Sequence, residues 1–246
     1  MTDLTNTATA DPVALSAQEA TKSQLIAADI AAALRARAPV LWVVTKEETR
    51  AERYIMQAAA NAAYTCRTWD VAQGAAEMSG KLLPDLIPVG AMGSDPGDAL
   101  SVILQRSQGG GDRCLWILRD FPIWLQGQPG ARVMRLLRNI AKARPRMAQD
   151  NAQAIVILSP DSKVPDEISG HATVIDWPLP DRVEIAMLLD STIETNKNKL
   201  TSLEAEMTNG RRDAAIDAAL GCGKSLTAKA SSFALAHKLR LERTHV

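Results

Sequence analysis

Residues 39–176 carry five short apolar runs, rich in β-branched and aromatic side chains, with stretches of helical periodicity between them. The runs are PVLWVVT (39–45), YTCRTWD (64–70), CLWILRD (114–120), AQAIVILS (152–159) and ATVID (172–176). Continuous apolar runs of this length suit strands covered on both faces, as in a parallel sheet. The intervening periodicity predicts the helices that cover them. Ile26, Ile30, Ala33 and Leu34 share one face. So do Ala51, Tyr54, Ile55, Ala58, Ala59 and Ala62, and likewise Val133, Leu136, Leu137, Ile140 and Ala141. Thr45 and Glu48 match a capping box ahead of the second helix, and Asp98 is placed to cap a helix bearing Leu100, Ile103 and Leu104. Residues 71–97 read as irregular and 109–112 as a loop. Strand and helix in alternation predict an α/β fold, an open five-stranded parallel sheet with helices on both faces.

Beyond residue 180 the pattern changes. Ile185, Leu188, Leu189 and Ile193 mark a helix, and nothing after it reads as a strand. The expected organisation is a flexible polar arm over 1–12, an α/β core over 13–179 and a helical subdomain over 180–246.

Composition excludes several classes. Lys plus Arg is 28 and Asp plus Glu is 28, so no global field draws in nucleic acid. The basic stretch Arg132, Arg135, Arg138, Lys142, Arg144 and Arg146 reads as a solvated helix face, with nucleic-acid binding as its alternative. Cys66, Cys114 and Cys222 form no CxxC pair and have no histidine cluster beside them, so reduced thiols in a cytoplasmic protein are expected, without a metal. His171, His237 and His245 are scattered. The N-terminus lacks the pattern of a secretory signal, and no run approaches the roughly 18 apolar residues of a membrane span. Trp116, Trp124 and Trp177 are expected in the core. FPIW (121–124) is expected in a loop, as a candidate contact patch.

Four stretches together, VLWVVTKEETR, LWILRDFP, AIVILSP and WPLPDR, resemble the N-terminal region of a cyanobacterial and plastid type of AAA+ ATPase. In that type a degenerate AAA+-like domain precedes a second, complete ATPase domain. The likeness runs over about residues 28–240 and implies a RecA-like core of strand order 5-1-4-3-2 followed by an all-α lid. It makes Asp120 a Walker B-like position and Ser159 a sensor-like one. The departures are informative. Where a working core places its P-loop, this chain has TKEETR (45–50), with no glycine and with Glu47 and Glu48 where phosphates would sit. Phe121 follows Asp120 where an acid would polarise the attacking water. The implied function is a non-catalytic interaction module that self-associates or docks on a protein such as a full-length AAA+ ATPase. No cofactor is expected and no membrane is engaged.

A partial P-loop stands elsewhere. Gly221, Gly223, Lys224 and Ser225 end the pattern G-x-x-x-x-G-K-[ST], but Ala218 occupies the position of its first glycine. RRDAAIDAAL (211–220) has helix formers and no strand character. A turn between two helices accounts for these residues, with Gly221 ending one and Ser225 or Thr227 capping the next. The alternatives are a remnant of the second domain's P-loop, or a nucleotide site that takes ATP and magnesium through Lys224 and Ser225.

Overall fold

The computed structural model describes residues 20–84, 86, 95–196 and, within 212–220, residues 212, 213, 216, 217, 219 and 220. The expected arm at 1–12 and GCGKS (221–225) lie outside the described residues.

Six strands form one sheet: β1 (Val40–Val44), β2 (Thr65–Asp70), β3 (Gly74–Glu77), β4 (Cys114–Arg119), β5 (Gln153–Ser159) and β6 (Ala172–Asp176). Their order is β3-β2-β4-β5-β1-β6. β3 pairs antiparallel with β2, and every other pairing is parallel. The sheet is therefore six-stranded and mixed, which corrects the expectation of five strands, all parallel. β3 lies in the stretch read as irregular because its sequence, GAAE, has little strand propensity. A local turn makes it. The Asp70 carboxylate accepts from the N–H groups of Ala72 (3.0 Å) and Gln73 (2.8 Å), and Gly74 then takes a φ of 74°.

The helices are α1 (Lys22–Arg35), α2 (Glu48–Asn61), α3 (Pro96–Gln108), α4 (Gly127–Ala143), the single turn α5 (Asp166–Ser169) and α6 (Arg182–Asn196). A genuine capping box starts α1. Thr21 Oγ1 accepts from Gln24 N–H at 3.2 Å, and Gln24 Oε1 accepts from Thr21 N–H at 2.8 Å. The box expected at α2 does not form. Thr45 N–H is still in the sheet ladder, donating to Ser159 O at 2.8 Å, so the helix starts only at Glu48. Thr45 Oγ1 instead accepts from Glu47 N–H at 2.9 Å. At α3 the cap is Asp95 rather than Asp98: its carboxylate accepts from Asp98 N–H at 2.8 Å, and Pro96 occupies the first helical position.

The core lies along the central strands. Every residue of β5 is buried, as are Trp42, Trp69 and Trp116. Two polar side chains trapped there are paired, whereas the buried Trp69 Nε1–H meets no acceptor. Trp116 Nε1–H donates to Gln153 Oε1 at 2.9 Å, and Gln153 Nε2 donates to the carbonyls of Asp112 (2.7 Å) and Asn151 (2.9 Å). FPIW is part of a 3₁₀ turn, Phe121–Leu125, rather than an open loop. Phe121 is buried edge-on against Trp69, with centroids 5.6 Å apart, while Ile123 is exposed. Among the described residues no helix is long and apolar enough to cross a membrane.

Candidate functional site

Parallel strands deliver their C-terminal ends to one edge of the sheet, and the connections leaving that edge form a cleft. The cleft encloses about 640 Å³. Residues 45–50 line it from the β1–α2 connection and the start of α2, Asp120 from the end of β4, Pro160 from the end of β5 and Leu188 from α6. The Walker B-like Asp120 and the sensor-like Ser159 thus end neighbouring strands, which pair Arg119 with Leu158. Asp120 is exposed and left-handed, with φ 49° and ψ 22°. Ser159 is buried, and its Oγ accepts from Asp161 N–H at 3.1 Å.

The connection from β1 to α2 is three residues long, 45–47. Glu47 precedes the helix without a side-chain cap. Glu48 sits near Asp120, Glu52 and Asp70. Burial raises its carboxyl above the ordinary range, those acids raise it further, and Arg119 opposes them. Arg119 bridges two of these acids, with Nε 2.6 Å from Glu52 and Nη1 3.3 Å from Asp70. Lys46 and Arg53 line the same cleft, so its acids face cations as well.

Arg50 is the buried centre of the site, at 3% exposure. Its Nε and Nη2 both donate to Glu47 Oε2, at 3.0 and 2.6 Å. Nη1 donates to Ser23 Oγ on α1 at 2.8 Å and lies 3.4 Å from Glu184 Oε2 on α6. Nη2 also donates to Pro178 O. Ser23 Oγ–H donates to Glu184 Oε2 at 2.7 Å, and the Arg50 guanidinium lies over the Trp177 ring, 6.0 Å from its centroid. Asp181 adds a second joint, accepting from Lys22 N–H at 2.6 Å and from Glu184 N–H at 2.8 Å. Two helix starts, α1 and α6, share one carboxylate.

Sequence reasoning named Asp120 and Ser159 at this edge but missed the Arg50 clasp. A signal existed. Arg50 falls four residues before Tyr54 and eight before Ala58, on the buried stripe of α2. An arginine in that register needs a carboxylate partner.

Gly221, Gly223, Lys224 and Ser225 lie outside the described residues. Just before them, the described residues 216, 217 and 219 are helical. Arg182 on α6 pairs with Asp213 at 3.0 Å and with Asp217, and Arg212 pairs with Asp190 at 2.7 Å. The basic stretch on α4 is not a uniform solvated face. Arg132 pairs with Asp98 at 3.0 Å, and Arg144 is fully buried. Among the described residues no group of three or more His, Cys, Asp or Glu side chains is placed to hold a metal ion.

A family match makes this sheet and cleft those of an AAA+-like domain. The chain belongs to the family described as SpoVK-like AAA ATPase, N-terminal domain, which matches residues 26–177. No curated protein matches it. Among solved structures it is similar to C. elegans PCH-2, at 11% identity and a TM-score of 0.44, over 71% of this chain and 47% of that one. The chain thus spans under half the length of that solved chain.

Proposed function

We propose that this chain is a degenerate AAA+-like module that works by protein contact, through self-association or by docking on a partner such as a full-length AAA+ ATPase. It is of the kind that precedes a complete ATPase domain in the cyanobacterial and plastid type, and it is cytoplasmic. The observation that carries this reading is the three-residue β1–α2 connection. A P-loop needs about eight residues, with glycines that bring several backbone N–H groups onto phosphate. Here Thr45, Lys46 and Glu47 provide neither the length nor the glycines. Arg50, the buried cation of the cleft, is already paired with Glu47 and Glu184. Asp120 and Ser159 stand at neighbouring strand ends with no acid next to Asp120 in sequence to polarise water, since Phe121 takes that place and is buried in the core. We place the functional division near residue 180, where the core is clasped to the described helix α6 through Arg50 and Glu184.

The rival reading uses Gly221, Gly223, Lys224 and Ser225 as an ATP and magnesium site. Helical residues directly before 221, in place of a strand, favour the turn. Nucleic-acid binding through 132–146 is disfavoured by the pairing of Arg132 and the burial of Arg144. Titration with a fluorescent ATP analogue and magnesium tests the proposal, with Lys224→Ala in parallel. The expected result is no saturation at millimolar nucleotide. Micromolar binding lost in Lys224→Ala would establish the rival.

A further inference from the structure

The edge of the sheet opposite the cleft carries an arginine cluster that the proposed function does not use. Arg37, Tyr64 and Arg113 stand before β1, β2 and β4, and Arg144 stands between α4 and β5. Tyr64 is the common centre of Arg113 and Arg144. The Arg113 guanidinium stacks 4.2 Å from its ring centroid and the Arg144 guanidinium lies at 5.4 Å. Arg144 Nη2 donates to Tyr64 Oη at 2.6 Å and to Leu34 O at 3.4 Å. Arg37 reaches the same corner, where its Nη1 donates to Met147 O and, at 3.3 Å, to Pro145 O, the residue after Arg144.

Arg144 is 0% exposed, and its Nε and Nη1 meet no acceptor; the buried Nε of Arg113 meets none either. Among the described residues no carboxylate pairs with Arg37, Arg113 or Arg144. Asp112, the neighbour of Arg113 in sequence, is committed to Arg67 and Arg106. A buried guanidinium with open donors and only neutral oxygens around it lacks the compensation that buried charge requires. The neighbouring arginines add to its field instead of cancelling it. That uncompensated charge favours an anion on the solvent side of the cluster, where Arg37 and Arg113 are half-buried.

We infer that this edge binds a phosphate-type oxyanion, held by Arg37 and Arg113 with Arg144 behind them. Guanidinium donors match the oxygens of such a group, and charge-assisted bonds there are strong. Arg37 and Arg113 are only half-buried, so the anion meets them from solvent, while Tyr64 keeps Arg144 in place.

The test is a thermal-shift titration of the full chain with inorganic phosphate against chloride at matched ionic strength. A saturable rise in Tm specific to phosphate is expected. Arg113→Gln and Arg37→Gln should each weaken the apparent affinity about tenfold, the loss of one charge-assisted contact. Arg132→Gln, about twelve residues or roughly 18 Å along the helix from Arg144, should leave it unchanged. Arg144→Met should abolish the rise; should that variant not fold, the two half-buried arginines still decide the matter. Co-sedimentation with phosphatidylcholine vesicles, with and without phosphatidic acid, separates the sources. Pelleting that Arg113→Gln abolishes points to a lipid headgroup, and a response to soluble phosphate alone points to a free anion. The inference is overturned if neither probe binds, or if Arg113→Gln binds as well as the parent chain.

Discussion

Single residues show how opposing terms are settled by geometry. Asp112 receives Arg67 through two hydrogen bonds of 2.8 Å and Thr65 Oγ1 at 2.8 Å, and also pairs with Arg106. Burial pushes its carboxyl up, but the bonds from Arg67, Thr65 and Arg106 together outweigh burial and hold it well below the ordinary carboxylate range. A depressed carboxyl contributes stability that is present above its unfolded value, ordinarily 3.8, and is lost as pH falls from there towards the folded value. Asp112→Asn should therefore lower stability near neutral pH by about 1–2 kcal/mol. That is less than a fully buried pair would lose, because 36% of the Asp112 side chain meets solvent. Urea midpoints measured from pH 7 to pH 2 should show the two proteins converging below pH 4; a constant gap would refute the linkage. Cys66 illustrates burial acting with little opposition. Burial, with Cys114 and Glu52 adding to it, pushes its thiol up to about 12, which disfavours the thiolate at neutral pH.

Whole elements meet at Arg50. α1 contributes Ser23, α2 contributes Arg50, the connection before α2 contributes Glu47, and α6 contributes Glu184. Removing one partner from such a buried set leaves the other charges uncompensated and costs about 3–5 kcal/mol. Arg50→Met should show that loss in chemical denaturation. Hydrogen exchange should rise along α6 before it rises in β5, since the clasp and Asp181 are polar joints between the start of α6 and the core. Equal acceleration of both elements would mean that Arg50 holds the whole fold and not the junction. Part of this was legible beforehand. The helices around 26–34, 51–62 and 133–141 follow from periodicity, because alternating burial imposes 3.6-residue spacing on any chain that packs a helix against a sheet. β3 was illegible, because an alanine-rich strand is created by its partner and its turn and not by its own side chains. The cap of α2 was misread for a related reason: the ladder to Ser159 extends one residue further than apolar character does.

On the scale of the molecule, one sheet divides two chemically unlike edges. The C-terminal edge carries the cleft with its interlocked acids and arginines, and the N-terminal edge gathers Arg113 and Arg144 around Tyr64, with Arg37 held on the Pro145 and Met147 carbonyls beside them. Between them β5, buried along its length, joins β1 and β4. Truncating a side chain there removes contacts that close packing cannot replace, so Ile157→Ala should cost about 2–5 kcal/mol. Circular dichroism and tryptophan fluorescence should report one shared, lowered midpoint. Separated transitions would show that the sheet does not unfold as a unit.

By itself the sequence determined the α/β class, five of the six strands, the faces of the principal helices and the absence of glycine just after the first strand. These are local properties, written in side-chain period, strand propensity and the presence or absence of glycine. Only the tertiary structure decided that Arg50 meets Glu184 across 134 positions and that Arg144 meets Tyr64 across 80. It alone turned part of the basic stretch inward and placed β3 on the sheet. Such pairings depend on which strands lie side by side and which helices share a junction. No periodicity along the chain encodes them, because their energy comes from removing particular charges from water together.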